Sequence, residues 1–212
     1  MDTIYRGDIA SRGGRLNAWA DSLLVDHGLL RLGWSNLAPV VPGRLYRCNH
    51  PTPGRLARLT RRLGLRTVIN LRGACANGSD ALSRDTARRL RLNFIDVAMQ
   101  SSRAPSRERL LELVAALRAA PEPALLHCKS GADRAGFAAG VFLLLNGGSV
   151  ADALGQLSWR FGHLRGSRTG VLDTVLTAYG RDAGGHADFA AWVRDAYDPA
   201  AITAEFASGV RA

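Results

Sequence analysis

Lysine is nearly absent from this chain. Lys129 is the only one among 28 basic residues, so the positive charge is carried by arginine, which stays protonated and forks onto carboxylates and phosphates. Cysteine is scarce as well. Cys48, Cys75 and Cys128 are odd in number and lack the spacing of metal ligands. That excludes a disulfide framework and a zinc module, and it indicates a reduced, cytoplasmic compartment. Aromatic residues make up only 7% of the sequence and the arginines are scattered, so no nucleic-acid partner is expected. No run approaches the roughly 20 apolar residues of a membrane span; the longest, 135–145, has the length of a buried helix. The opening stretch MDTIYRGDIASRGGR has no apolar h-region, so a secretory signal is not expected.

What is present suits one globular domain. The chain has 212 residues, 47% of them hydrophobic, enough for a single core. We divide it into an N-terminal amphipathic helical extension (1–38), a main domain (39–200) and a C-terminal tail (201–212). The 28 basic residues outnumber 18 acids, for a formal charge of +10. That excess favours anionic substrates or surfaces.

Along the chain, RLNAWADSLLVDHGLLRL (15–32) places Leu16, Trp19, Leu23, Leu24 and Leu30 at helical spacing, with a break near Gly28. Such a helix packs on the domain or lies on a membrane surface with its arginines toward acidic headgroups; Asp21 and Asp26 favour packing. Pro39, Pro42 and Gly43 punctuate the next stretch, and RLYRC (44–48) is a short strand. Thr52 before Pro53 starts a helix that Gly64 stops. RTVINL (66–71) is a buried strand, 79–92 an arginine-rich helix, and NFIDVAM (93–99) another strand. Residues 106–119 are helical, and ALLHC (124–128) is a strand running into a loop. A helix from Arg134 ends at Asn146, and further helices cover about 149–161, 170–180 and 187–196. Strands alternating with helices predict an α/β fold with a largely parallel sheet flanked by helices.

The loop after ALLHC carries the chemistry. Ligands of open α/β sheets bind beyond the carboxyl ends of strands, where a loop meets a helix N-terminus rich in free N–H groups. Cys128 stands at such a point. Gly131 permits backbone conformations that let loop amides converge on one oxyanion, and Arg134 can fork onto phosphate oxygens. The same positive field favours a thiolate. Nucleophile, oxyanion cradle and guanidinium thus share one loop.

His127-Cys128-Lys129-Ser130-Gly131-Ala132-Asp133-Arg134 resembles the phosphate loop, His-Cys-x5-Arg, of cysteine-dependent protein tyrosine and dual-specificity phosphatases. The upstream LYRCNHPTPGRLARLTRRLGLRTVINLRG looks like the N-terminal half of small dual-specificity-like members, so the resemblance spans about residues 44–165. It implies a protein tyrosine phosphatase-like fold, a phosphocysteine intermediate on Cys128, no metal or cofactor, and phosphate binding by residues 129–134: Lys129, Ser130, Gly131, Ala132, Asp133 and Arg134. The implied partner is a phosphorylated protein, or a multiply anionic phosphorylated lipid or inositol.

The general acid has two candidates. Many such phosphatases place an aspartate about thirty residues before the cysteine, which points to Asp96; but FIDVAM reads as strand, and the following QSSRAPS holds no carboxylate. Loops of the form Cys-x-x-Gly-x-Asp-Arg resemble those of myotubularins and certain bacterial lipid-and-tyrosine phosphatases, whose loop aspartate is assigned the acid role, which points to Asp133. Asp133 is preferred. Ala135 stands where many relatives have Ser or Thr, so slow breakdown of the phosphoenzyme is expected. Lys129 suits a multiply phosphorylated substrate. His127 orients the loop from beneath. Arg72 either reaches a second phosphate or makes a structural ion pair, and His163 and Arg165 are candidates for the rim. The rival readings are a pseudophosphatase that only binds phosphorylated partners and a rhodanese-type sulfur transferase. Against the latter, five residues rather than four separate Cys128 from Arg134.

Overall fold

The tetrads at Thr67–Asn70 (β3) and Ala124–His127 (β5), mostly apolar with polar residues at their ends, are buried along their whole length and pair in parallel at the middle of one sheet. Burial on both faces is what a parallel sheet covered by helices demands. The computed structural model describes residues 3, 5, 8–26, 33–182, 185–186 and 188–209. Leu45–Cys48 (β2) lies parallel to β5 on one side, and Asn93–Asp96 (β4) lies parallel to β3 on the other. Ala38–Val41 (β1) closes the sheet antiparallel to β2, giving the order β1-β2-β5-β3-β4. The sequence reading missed β1 because Pro39 sits inside it. Proline lacks a donor and is tolerated on an edge strand.

The helix signalled by Thr52 and Gly64 forms with both caps in place. Pro53–Leu63 (α2, after the N-terminal Arg12–Ala20, α1) is opened by Thr52, which accepts from Arg55 N–H, and is closed by Gly64 in the left-handed region. Gly78–Arg89 (α3) is capped by Asn77, and Arg107–Ala119 (α4) by Ser106. Asp133–Leu145 (α5) follows the loop after β5 and is buried on almost every side. This explains why its apolar stretch is a core helix; among the described residues no helix is long and apolar enough to cross a membrane. Gly136 lets Val150–Gly155 (α6) come close, since a Cβ there would stand 2.5 Å from the Gln156 carbonyl. The helix expected over 149–161 stops at Gly155, and a 3-10 turn, Trp159–Phe161, lies in its second half.

Val171–Asp182 (α7), Phe189–Asp195 (α8) and Pro199–Gly209 (α9) complete the described elements. Most of the segment set apart as a C-terminal tail is thus helical. One side of the sheet packs on α4, α5, α7 and α8 through residues such as Leu113, Phe137, Leu176 and Trp192. The other packs on α2 through Leu56, Leu59 and Val68.

At the N-terminal end, α1 runs into a short π-helical turn, Asp21–Val25. This part packs on α3: Asp21 accepts from the Gly78 N–H at 2.7 Å, and Arg15 pairs with the buried Asp85 at 2.8 Å. Leu16 and Leu24 stay exposed. Gly28 and Leu30, with the predicted break, lie outside the described residues.

Candidate active site

The parallel register sets the carboxyl ends of β2, β3, β4 and β5 along one edge, with Cys48 beside His127, Asn70 beside His127, and Asp96 beside Asn70. Chain direction alone thus brings the loop 128–132 and the start of α5 to this edge. Cys128 is buried, and its Sγ accepts from the Gly131 N–H at 3.2 Å.

The loop is held by its carbonyls. Lys129 C=O accepts from the His50 N–H at 3.2 Å, and Ser130 C=O from the Asn36 side chain at 3.1 Å. Gly131 C=O and Ala132 C=O accept from one nitrogen of Arg47 at 2.6 and 2.9 Å. In a trans peptide the following N–H points opposite to the carbonyl. With four successive carbonyls tied to the surrounding protein, the following N–H groups point away from those anchors; the Gly131 N–H meets Cys128 Sγ, and the Ala132 N–H donates to Ser130 Oγ at 3.3 Å. Gly131 makes this possible: its φ is +79°, and a Cβ there would lie 2.6 Å from the Asn49 nitrogen.

Arg47 is fully buried, also reaches the Gln156 carbonyl at 2.5 Å, and lies over the Phe161 ring. Burial pulls its pKa down to about 10, against the opposing pull of Cys128, Cys48 and Asp133, so it remains a cation behind the loop. Neither Arg47 nor Asn36 was picked out from the sequence. The available signal for Arg47 was a charged residue in the strand LYRC, whose neighbours across the ladder are apolar.

The two aspartates go to different places. Asp133 is the first residue of α5, next to Arg134, whose guanidinium reaches toward the Met99 carbonyl at 3.5 Å. Asp133 Oδ1 lies 2.7 Å from His163 Nδ1, and His163 Nε2 lies 2.6 Å from Asp173 Oδ2. Burial pushes the Asp133 carboxyl up, but hydrogen bonds from His163 and Thr169 and the charges of His163 and Arg134 hold it below the usual range. Burial pulls His163 down; the hydrogen bonds and charges of Asp133 and Asp173 outweigh this and push it up to about 9. Asp96 ends β4, separated from β5 by β3, where Asn70 Nδ2 donates to it at 2.9 Å and Arg84 pairs with it at 2.8 Å.

Arg72 makes the ion pair: both of its terminal nitrogens bind Asp26, at 2.7 and 2.9 Å. Lys129 is half-exposed and stands 3.7 Å from the same carboxylate. His127 is buried beneath the loop with its ring edge-on to His50 at 4.6 Å. His163, expected at the rim, is buried, whereas Arg165 is exposed and touches Asp173 at 3.2 Å. Ala135 is fully buried in the core. Cys48 lies on the neighbouring strand, and burial pushes its thiol far up, which leaves it a poor nucleophile.

A parallel α/β sheet with a cysteine-to-arginine anion loop at its carboxyl edge defines a cysteine-dependent phosphatase of the tyrosine/dual-specificity type. The family model described as PTP-SAK, Swiss Army Knife protein, DSP-PTPase phosphatase domain, matches residues 35–162, more than half of the chain, and the chain belongs to that family. Solved structures share the fold. The core catalytic domain of the PP-IP phosphatase Siw14 from S. cerevisiae is 20% identical, with a TM-score of 0.53 over 71% of this chain and 94% of that one. TpbA of P. aeruginosa is 22% identical, with a TM-score of 0.50 over 82% and 96%. A mutant form of Tk-PTP is 21% identical, with a TM-score of 0.53 over 70% and 96%. No curated protein matches the sequence.

Proposed function

We propose that the chain hydrolyses phosphomonoesters through a phosphocysteine on Cys128, with phosphotyrosine protein or a multiply anionic phosphorylated lipid or inositol as substrate. The observation that carries this reading is the Gly131 N–H donated to Cys128 Sγ within a loop whose four successive carbonyls are anchored to the surrounding protein, which leaves the following amides pointing away from those anchors. A tetrahedral phosphoryl group bound there meets fixed dipoles that need no reorganisation as charge develops. Lys129, Ser130, Gly131 and Ala132 line the cradle, and Arg134 clamps the phosphoryl oxygens. Asp133 gives the leaving oxygen its proton; Asp96, engaged by Arg84 and Asn70 away from the loop, is the less suited of the two. Sγ attacks phosphorus, the ester P–O bond breaks, and water then hydrolyses the thiophosphate.

For substrate choice, Arg72 is held by Asp26 through two short hydrogen bonds, while the half-exposed Lys129 makes only a 3.7 Å contact to the same carboxylate, so Lys129 is the one of the two better placed to turn to a second phosphate of an inositol or lipid headgroup. The test is phosphate release by wild type and Cys128→Ser from phosphotyrosine peptides, phosphoinositides, inositol phosphates and an aryl phosphate. Release that falls at least ~10³-fold in the variant, with a phosphoenzyme trapped by rapid quench in wild type, supports the mechanism, and the substrate ranking chooses the class. Wild type that binds phosphate tightly and releases none overturns it in favour of a binding module.

A further inference from the structure

We propose that His163, held by Asp173, is a positioning residue that keeps the proton for Asp133 and passes it over when a phosphoryl group fills the loop. This rests on the reading of Asp133 as the general acid. A carboxylate only accepts hydrogen bonds, and a neutral imidazole has one donor nitrogen. His163 has a carboxylate oxygen at each ring nitrogen, Asp133 Oδ1 at 2.7 Å and Asp173 Oδ2 at 2.6 Å, and its side chain is 1% exposed. Both nitrogens therefore donate, and the ring is an imidazolium shared between two aspartates. The elevated His163 pKa agrees with this.

The surrounding charges fix the resting proton. Asp133 feels Arg134 beside it and Arg47 behind the loop, Asp173 also accepts from Arg165, and Thr169 Oγ1 stands 3.5 Å from His163 Nδ1. Before a phosphoryl group binds, these cations favour an ionised Asp133, and a carboxylate has no proton to give. A phosphate dianion bound against Asp133 reverses the balance, because a like charge nearby favours the protonated carboxyl. The proton on His163 Nδ1 then crosses the 2.7 Å hydrogen bond to Asp133. As the Sγ–P bond forms and the ester P–O bond breaks, the carboxyl gives it to the leaving oxygen. His163 is left neutral, its Nε2–H still donated to Asp173. In the second step Asp133 takes a proton from the attacking water and His163 is recharged.

The test compares wild type, His163→Gln, Asp133→Asn and Asp173→Asn on phenyl phosphate, whose leaving oxygen needs a proton, and on 2,4-dinitrophenyl phosphate, whose leaving oxygen does not. For phenyl phosphate, H163Q is expected to lose about 10- to 100-fold in kcat/KM, the scale of general acid catalysis, and its alkaline limb is expected to move to lower pH by roughly one unit or more. With the dinitrophenyl ester, kcat/KM, which reports the step up to the phosphoenzyme, stays within about threefold, since that step requires no acid. Equal losses on both esters, or an unmoved alkaline limb, overturn the proposal. If D133N shows no leaving-group preference, the acid assignment falls and takes the proposal with it; if D133N shows it and H163Q does not, only the role of His163 falls. Should H163Q fail to fold, D173N decides: it is expected to show a weaker form of the same preference and shifted limb, and wild-type behaviour in it overturns the proposal.

Discussion

Asp96 and Asp133 stand at the same edge of one sheet, each held by a cation, and they differ in what that cation can release. Arg84 holds Asp96 at 2.8 Å. A guanidinium does not give up its proton in a protein, so this pair is a fixed strut between α3 and β4. His163 holds Asp133 at 2.7 Å, and an imidazolium, unlike a guanidinium, is a titratable group that can hand its proton on. The distances are nearly the same; the chemistry is not. An aspartate beside a phosphate loop is suited to acid catalysis when its partner is itself titratable.

The largest expected effect separates the two directly. Asp133→Asn removes the proposed acid and is expected to lower kcat on phenyl phosphate by about 10²-fold, whereas Asp96→Asn stays within about threefold, since Asp96 sits beyond β3 from the loop. Steady-state rates on this one ester suffice. A loss confined to D96N would break the comparison and move the acid to β4.

A second contrast is expected in stability. His163 is raised from its ordinary value of 6.5 to about 9 in the folded protein. A group raised in this way stabilises fully below its unfolded pKa, and the contribution is lost as pH rises through the folded value. Unfolding free energy should therefore fall between about pH 6.5 and 9 by on the order of 2–3 kcal/mol. In H163Q that slope should flatten, as read by urea denaturation across the range. Asp133, held below its ordinary range, has the opposite sign: its contribution is present above the ordinary carboxylate pKa and is lost as pH falls through the folded value. A slope that persists unchanged in H163Q would mean that the imidazolium is not the source.

These contrasts also show which parts of the molecule were legible in the sequence. The loop was, because Cys128, Gly131 and Arg134 are local in sequence and their spacing is their geometry. The strands β3 and β5 and the caps at Thr52 and Gly64 were legible for the same reason: burial pattern and capping chemistry act within a few residues. What escaped is long-range. Arg47 reaches the loop from another strand, Asn36 reaches it from the segment before β1, and Asp173 meets His163 from the start of α7. Each acts across a sequence separation that no local pattern encodes. Edge strand β1 escaped because Pro39 imitates a loop, and the helix expected over 149–161 ends at Gly155, ahead of a 3-10 turn.

The smallest expected effect concerns the stability of the strut. Arg84 binds Asp80 at 2.7 Å as well as Asp96, and its side chain is over a third exposed, so the pair with Asp96 is partly screened by water. Asp80 and Asp96 also repel: burial raises the Asp80 pKa, hydrogen bonds and charge from Arg84 lower it, and the Asp96 charge adds to the rise. Asp96→Asn removes one attraction and one repulsion together. The amide oxygen can still accept from Asn70 Nδ2, and Arg84 keeps Asp80. The net change in unfolding free energy should then stay within about 1 kcal/mol, the range of exposed ion pairs, and the Asp80 pKa should fall once its neighbour is neutral. Urea denaturation and carboxyl NMR titration read the two quantities. A cost above about 3 kcal/mol, the scale of a broken buried pair, would show that the strut is not screened by water and that Asp96 is held as a buried ion pair.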